Sequence, residues 1–342
     1  MRPFDHARAA SVRDALDLAA ARPGAVFIAG GSDLVPLWKD GVSAPPAVID
    51  ISRLPLDHID VADGAIAIGA LARMADVADH PVIRRDAPAV AQALLASASP
   101  QLRNAATIGG NLLQRTRCPY FRTPGFPCNK RAAGSGCSAR GGDDRRHAIF
   151  GASERCAATH ASDLAVALVA LDASVELCGP DGSRTVGIED LHVAPGDRPE
   201  RETVLRPGEL ITAIRVPASA LARRSRYLKV RDRASFDFAV VSVAAALDIA
   251  DGQVREARIA AGGVGTVPWR LRGSERALRG ARCADPDGVG SPGIDDAAAR
   301  ATDGARPLGR NGFKLELLRR CVRRVLAELT GALEPRGAGG AA

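Results

Sequence analysis

The chain has 342 residues, of which 46% are hydrophobic and 25% charged, as in an ordinary soluble protein of two or three domains. Its net charge is +7, but the basic residues are dispersed, only 4% of residues are aromatic and no nucleic-acid motif is present. We therefore expect no nucleic-acid binding. The most apolar runs are short and are interrupted by Asp172 and Asp248, so we expect no membrane insertion. The N-terminus lacks an apolar signal core, which predicts no export signal on this chain.

Lysine and asparagine are rare enough to carry information. All but four of the 46 basic residues are arginine, and only four asparagines occur. Because a compact ammonium and a planar guanidinium are not interchangeable, a lysine retained in such a chain points to a specific contact. The residues concerned that lie in segments of interest are Lys130, Lys229, Asn111 and Asn129.

The first 60 residues are predicted to form a small α/β unit. SVRDALDLAAA is an amphipathic helix with Ser11 as N-cap and Asp14 three residues later. An apolar strand, the turn Ala29–Asp33 and a second helix follow. The Gly-Gly pair in this turn allows close approach of a ligand, and N–H groups before a helix can bind an anion. A single turn of this kind leaves a phosphate site and a simple tight turn both open, and it is not the GxGxxG of a dinucleotide site.

A second Gly-Gly pair occurs in TIGGN, Thr107–Asn111, after predicted strands and helices in residues 61–106. Its backbone N–H groups are expected to face a ligand in the same way. Two such turns in one chain favour one bound cofactor that carries phosphate.

Four of the seven cysteines follow TIGGN in a glycine-rich, basic segment without apolar periodicity. Their spacing is C-x9-C-x8-C-x18-C, and nine basic residues face three acidic ones. A segment of this length without a core pattern must be disordered or held by something other than apolar packing. The absence of paired CxxC motifs favours an iron–sulfur cluster, with zinc and structural or disulfide cysteines as the alternatives. The four are Cys118, Cys128, Cys137 and Cys156.

The fold is predicted to resume after Cys156. Asp163 lies in the first turn of a helix capped by Ser162, where a carboxylate can serve the helix dipole or a ligand. Residues 183–193 and 209–217 are predicted strands. From about residue 218 the pattern changes to long antiparallel strands joined at Asp251-Gly252, and residues 312–331 form an amphipathic last helix. Cys178, Cys283 and Cys321 are interpreted as ordinary core or surface cysteines.

The strings AGGSD, TIGGN, SDLA and YLKVRDRASFDFA, in this order, resemble the FAD-binding subunit of molybdenum hydroxylases of the xanthine dehydrogenase and carbon monoxide dehydrogenase group. The resemblance implies an α+β fold. It consists of a two-subdomain FAD-binding (PCMH-type) domain and a CO dehydrogenase flavoprotein C-terminal-like domain, an antiparallel sheet packed on helices. The implied divisions are 1–60, 61–218 with an iron–sulfur insertion at 115–156, 219–331, and a disordered tail at 332–342.

The resemblance also implies a set of FAD-binding residues. The first turn would wrap the pyrophosphate, TIGGN would form the other side of that cradle, and Lys229 would lie near the isoalloxazine ring. Asp163 resembles the family aspartate that binds FAD, and the stretch RPGELITAIRVP resembles the backbone that lies along the flavin. The full set is Phe27, Ile28, Ala29, Gly30, Gly31, Ser32, Asp33, Thr107, Gly110, Asn111, Asp163, Leu210, Ile211 and Lys229.

The cysteine insertion resembles the one in flavin subunits of bacterial, periplasmic-type aldehyde oxidoreductases with three different subunits. The match includes CPYFR, PCNKR and GSGCSA, and it implies that Cys118, Cys128, Cys137 and Cys156 ligate a [4Fe–4S] cluster. The flavin subunit of 4-hydroxybenzoyl-CoA reductase carries a similar insertion. The cluster alone therefore does not identify the substrate.

These resemblances imply an electron-transfer subunit that supplies no catalytic residue to aldehyde oxidation. The expected partners are a large molybdenum-cofactor subunit and a small subunit with two [2Fe–2S] clusters, and electrons would leave FAD for an external acceptor. The alternatives are the flavin subunit of a related hydroxylase, such as xanthine dehydrogenase or a CoA-thioester reductase, and a non-catalytic zinc-binding scaffold. The location is expected to be cytoplasmic, or periplasmic through a twin-arginine signal on the small partner.

Overall fold

The computed structural model describes residues 2–283 and 291–333. Most of the predicted tail, 334–342, lies outside the described residues, as does 284–290. Within the described ranges, no helix combines the length and the apolar character that crossing a membrane requires.

A three-stranded parallel sheet and two helices form the N-terminal unit, with strand order β1-β3-β2. Ser11 caps the first helix as predicted, because its side chain accepts a hydrogen bond from the Asp14 N–H at 3.0 Å. The elements are β1 Asp5–Arg8, α1 Val12–Ala20, β2 Val26–Ile28, α2 Leu34–Lys39 and β3 Ala47–Asp50.

A five-stranded antiparallel sheet with order β4-β5-β8-β6-β7 forms the second unit, with short helices inserted between its strands. Two predictions are wrong in local detail. TIGGN is a helical turn rather than an open turn, and residues 188–191 are helical rather than extended. The elements are β4 Ile59–Ala62, β5 Ala65–Gly69, α3 Met74–Asp79, α4 Pro81–Asp86, α5 Pro88–Ala96, α6 Pro100–Ala105, α7 Ile108–Leu112, α8 Pro119–Arg122, α9 Asp163–Ala170, β6 Ser174–Gly179, β7 Gly182–Gly187, α10 Ile188–Leu191 and β8 Leu210–Pro217.

The C-terminal unit is a four-stranded antiparallel sheet, β12-β11-β10-β9, covered by helices. Its central hairpin turns at Asp251-Gly252, where both residues have positive φ as the sequence predicts. The last helix ends at a left-handed glycine, Gly331, which is a common helix stop. The elements are α11 Ala220–Arg223, β9 Ser225–Val230, β10 Val241–Ala250, β11 Gln253–Gly262, β12 Trp269–Arg270, α12 Arg272–Leu278, α13 Pro292–Arg300 and α14 Phe313–Thr330.

One apolar core connects the second and C-terminal units. The fully buried helix α9 and the largely buried helix α5 pack between the five-stranded sheet and one face of β10 and β11, whose other face packs on α12–α14. Burial of this much apolar surface supplies the main stabilisation. It also fixes Tyr227, on β9, beside the start of α9.

Candidate functional site

The first glycine turn links β2 to α2, as predicted, and needs glycine at both positions. A Cβ on Gly30 would lie 2.1 Å from the carbonyl oxygen of Ala105, and Gly31 has φ of +66°. Within the described chain, the N–H groups of Gly30, Gly31 and Ser32 donate no hydrogen bond to protein. Unpaired N–H groups that converge before a helix fit a phosphate group.

The TIGGN segment contributes differently from the prediction. The N–H groups of Ile108 and Gly109 donate to the carbonyls of Ala72 and Ala70, and that of Gly110 donates to the Thr107 side chain. They are therefore not available as a second N–H cradle. Gly109 allows α7 to pack closely, since a Cβ there would lie 3.0 Å from that of Ala70.

Two cavities meet at these glycine segments. The first, about 200 Å³, is lined by the turn and by Thr107, and the second, about 360 Å³, extends to Asp163 and Lys229. Both are lined by Ser32, Asp33 and Gly110. The pair suits an elongated ligand with phosphate at the turn and a ring system at the larger cavity. The predicted residues that line one or both cavities are Phe27, Ile28, Ala29, Gly30, Gly31, Ser32, Asp33, Thr107, Gly110, Asn111, Asp163 and Lys229.

A buried polar network forms one wall of the larger cavity. Lys229 Nζ lies 2.7 Å from Asp163 Oδ2 and donates to the carbonyl of Ala96 at 3.1 Å, with both charged side chains at most 6% exposed. Asp163 also accepts hydrogen bonds from Ser97 Oγ, at 2.9 Å, and from Tyr227 OH. Burial, followed by the Asp163 charge, raises the pKa of Tyr227 well above its usual value. The tyrosine therefore remains a hydrogen-bond donor.

Asn111 connects this wall to TIGGN. Its Oδ1 accepts a hydrogen bond from Ser162 Oγ at 2.6 Å, and its Nδ2 donates to Met74 Sδ at 3.4 Å. Ser162 in turn caps α9, the helix that presents Asp163. The two predicted segments, far apart in sequence, are thereby joined through one hydrogen bond.

Three predicted residues have roles that the sequence did not indicate. Leu210 and Ile211 begin β8 and are buried in the cores, and they line neither of the two cavities. The Asp33 carboxylate binds the cysteine insertion, accepting from the Arg115 N–H at 2.8 Å and pairing with Arg117 and Arg122. Burial alone raises the pKa of Asp33, but the two guanidinium groups outweigh burial and lower the pKa overall.

The four predicted cysteines line one narrow cavity. Cys128 and Cys137 are paired by an isolated antiparallel bridge, and Cys118 Sγ lies 3.3 Å from His147 Nε2. All seven cysteines are free thiols. Burial raises the pKa of Cys118 to about 12 and also raises that of Cys156, with the neighbouring thiols adding to both rises. The insertion thus brings together four thiols that are far apart in the sequence.

Two kinds of metal centre, zinc and an iron–sulfur cluster, are relevant to these four thiols. Among the described residues, no three His, Cys, Asp or Glu side chains are grouped closely enough to hold a metal ion, so the structure does not itself show the predicted metal site. A [4Fe–4S] cluster would be held by four cysteine thiolates. Four free thiols around one cavity fit that chemistry.

Hydrogen bonds to backbone hold much of the insertion, whose buried apolar side chains are few and include Phe121, Ile149 and Phe150. The Arg131 guanidinium donates to the carbonyls of Tyr120, Phe121, Pro124 and Phe126. Asn129 donates to the carbonyl of Arg155 and accepts from the Gly136 N–H. Lys130 donates to the carbonyl of Pro199 and pairs with Glu202 at 2.9 Å. The rare residues of this segment therefore make specific long-range contacts.

The far end of the insertion is anchored to the last helix. Lys314, fully buried, donates to the carbonyls of His147 and Gly263 at 2.9 and 2.6 Å. Burial, with Arg146 and Arg145 nearby, lowers its pKa to about 7. Asn311 Nδ2 donates to the carbonyl of His147 as well.

Sequence reasoning missed Ser97 and Tyr227, which complete the Asp163 network. Ser97 lies at the end of α5 without any motif, so no local signal marks it. Tyr227 stands two residues before Lys229 on β9, inside a recognised string, and period-two alternation places both on one face of the strand. That alternation was the available signal.

Comparison with known proteins identifies two families along the chain. Residues 2–219 match the FAD binding domain in molybdopterin dehydrogenase, and residues 226–329 match the CO dehydrogenase flavoprotein C-terminal domain. The chain is 46% identical over 330 residues, 96% of this chain and 98% of the relative, to the aldehyde oxidoreductase FAD-binding subunit PaoB of Escherichia coli. It is 28% identical to the glyceraldehyde dehydrogenase medium chain of Sulfolobus acidocaldarius, covering 82% of this chain and 83% of the relative.

Solved structures agree with the predicted fold class. A chain of the Cu,Mo-CO dehydrogenase superposes with a TM-score of 0.74 at 24% identity, covering 97% of this chain and 100% of that one. At that identity the likeness establishes the fold alone. The predicted fold and family are both confirmed, and the chain belongs to the FAD-binding subunits of the molybdenum hydroxylase family.

Proposed function

We propose that this chain is the FAD and [4Fe–4S] electron-transfer subunit of a molybdenum-dependent aldehyde oxidoreductase. The observation that carries the FAD site is the meeting of two cavities at the Gly30-Gly31 turn, with free N–H groups at one end and Lys229 at the other. The substrate class is supported by the 46% identity, over nearly the whole chain, to an aldehyde oxidoreductase subunit.

Each part of the FAD site has a distinct task in this proposal. The N–H groups of Gly30, Gly31 and Ser32 bind the pyrophosphate, where the start of α2 also favours negative charge. Bound FAD would supply the two-electron acceptor chemistry. The Lys229 ammonium, fixed by Asp163, stabilises the negative charge that the ring gains on reduction. Tyr227 and Ser97 keep the Asp163 carboxylate in place.

The [4Fe–4S] part of the proposal rests on the cysteine insertion. Four free thiols line one cavity, and N–H groups of Tyr120, Phe121 and Ala158 point at two of the sulfurs. Such hydrogen bonds and the nearby Lys130 charge favour an anionic thiolate-bound centre. A cluster there would cross-link a segment that has little core of its own.

In the complete enzyme, a large molybdenum-cofactor subunit would oxidise the aldehyde. A small subunit with two [2Fe–2S] clusters would pass electrons to the FAD bound here, and an external acceptor would remove them. This chain would supply no residue to the aldehyde chemistry. Its location, cytoplasmic or periplasmic, would follow from the export signal of the small partner.

The proposal is tested by purifying the chain and measuring its visible spectrum and iron content. Flavin absorption bands together with about four irons per chain are expected. A colourless protein that contains zinc would refute both cofactor assignments. For the substrate, the co-purified complex is assayed with aromatic aldehydes against a CoA thioester, and turnover of the thioester alone would overturn the aldehyde assignment.

A further inference from the structure

The loop between β9 and β10, residues 231–240, forms part of the larger cavity wall. Arg233, Phe236, Asp237 and Phe238 all line that cavity. Phe236 has φ of +50°, in the left-handed region that non-glycine residues seldom adopt. A strained conformation of this kind persists only when the surroundings fix it. The conformation of the loop therefore depends on the groups that contact it.

Arg233 of the loop donates to the Phe236 carbonyl at 2.9 Å, and Arg231 donates to the carbonyl of Ala96 on α5 at 3.2 Å. The acidic side chains of the loop are contacted from the cysteine insertion. Arg146 bridges two loop carboxylates, with Nη1 at 3.1 Å from Asp237 Oδ1 and Nη2 at 2.6 Å from Asp232 Oδ2. Arg145 pairs with Asp232 at 3.3 Å. The Arg117 guanidinium lies over the Phe238 ring, 4.8 Å from its centroid. Three arginines of one segment thus converge on one loop.

The geometry favours a real restraint over a chance surface pair. The Asp237 side chain is only 10% exposed, and its carboxylate also accepts hydrogen bonds from the Phe238 and Asp232 N–H groups. The Arg146 side chain is 49% exposed, so its charge alone contributes little. A carboxylate that binds a guanidinium and two backbone N–H groups together is nevertheless held more firmly than one in a simple exposed pair. Asp237 therefore transmits the position of Arg146 directly to the loop backbone.

We infer that Arg145 and Arg146 are positioning residues for the flavin cavity, bracing the β9–β10 loop from the cysteine insertion. The inference rests on the proposed function for the identity of the ligand. The brace, meaning the contacts of Arg145 and Arg146 with the loop, does not depend on that function. It gives the insertion a second task besides holding a cluster. A change in the insertion would then reach the flavin cavity through Arg146 and the loop.

The test compares Arg146→Gln with the control Arg140→Gln, an arginine of the same insertion that contacts Glu154 and the carbonyl of Ser153 instead of the loop. Hydrogen exchange of residues 231–240 is measured on the purified chain, with the FAD dissociation constant and the visible circular dichroism of the flavin. Arg146→Gln should speed loop exchange, weaken FAD binding about tenfold and alter the flavin dichroism, with iron content unchanged. Arg146→Lys should restore the slow loop exchange and the FAD affinity only in part, because an ammonium cannot bridge both carboxylates in the same way.

Asp237→Asn tests the same contact from the loop side and replaces Arg146→Gln if that variant fails to fold. Loop exchange and FAD affinity equal to those of Arg140→Gln would overturn the brace. A wild-type chain that binds no FAD would instead refute the proposed function. Loop exchange needs no ligand, so it still decides whether the brace exists.

Discussion

The flavin cavity and the cysteine insertion are neighbours held together by different forces. The cavity is built at the ends of regular elements, around α9, which is buried throughout, and α5, which buries most of its apolar side chains in the same core. The insertion has one four-residue helix and few buried apolar side chains, and guanidinium and amide groups bind its backbone. The first region depends on apolar burial, and the second on directed polar contacts and four thiols. They should therefore fail under different conditions.

The largest difference is expected for Cys128→Ser. Loss of one of four thiols should abolish most of the iron signal and expose residues 115–156 to protease, while the sheets remain folded by circular dichroism. Exchange in the β9–β10 loop should rise as well, since Arg145 and Arg146 lose their fixed positions. Cys178→Ser, a half-buried cysteine on β6, is the control and should change none of these. Equal iron content in both variants would exclude Cys128 as a ligand.

Lys229→Met should affect the cavity and spare the insertion. Removing the ammonium leaves Asp163 buried and partly unpaired, which costs about 3–5 kcal/mol of unfolding free energy. Flavin reduction should also become slower and less favourable, with FAD still bound. Thermal unfolding and stopped-flow reduction measure the two effects against Lys39→Met, an exposed lysine. Unchanged reduction kinetics would rule out the assigned role of Lys229.

Asp33→Asn tests the boundary between the two regions. The pKa of this carboxyl is lower in the folded protein than in the unfolded chain, where it is about 4. Above pH 4 the ionised carboxylate therefore stabilises the docked insertion. That contribution is lost as pH falls through the lower folded value. The variant should lose about 2–3 kcal/mol of unfolding free energy at neutral pH. Its unfolding free energy should also fall less steeply than that of the wild type below pH 4. Unfolding is followed against pH with Asp181→Asn, an exposed carboxylate, as control. A decline identical to that of the control would contradict this role.

The smallest effect is expected for Tyr227→Phe. The variant removes one hydrogen bond to a charged acceptor, worth about 1.5 kcal/mol, while Lys229 and Ser97 still hold Asp163. The flavin reduction potential should shift slightly, and iron content should stay constant. Tyr120→Phe is the matched control, because this other tyrosine binds the Asp143 N–H inside the insertion. A larger potential shift in the control would reverse the assignment.

Features coded locally were predictable from the sequence. The Ser11 cap, the Asp251-Gly252 hairpin and the last helix depend on neighbouring residues, and all three are present. The Gly30-Gly31 turn was predictable because Gly31 has a positive φ that favours glycine. The partners of Asp33 were not, since they lie 82 to 89 residues away and arginine is too common in this chain to mark them.

The same limit applies to TIGGN and β8. The Gly-Gly pair of TIGGN predicted N–H groups that face a ligand, but Gly109 instead allows close packing against Ala70, which depends on tertiary structure. Leu210 and Ile211 were assigned from a string, and their burial follows from sheet register, which the string does not contain. Rare lysines were better guides, because Lys130, Lys229 and Lys314 each bind a distant backbone carbonyl.

The Lys314 anchor has a consequence for how the subunit is made. Its ammonium binds the carbonyl of His147, 167 residues earlier in the chain. Because α14 follows all four cysteines in the chain, the downstream end of the insertion cannot make this contact until α14 has been synthesised.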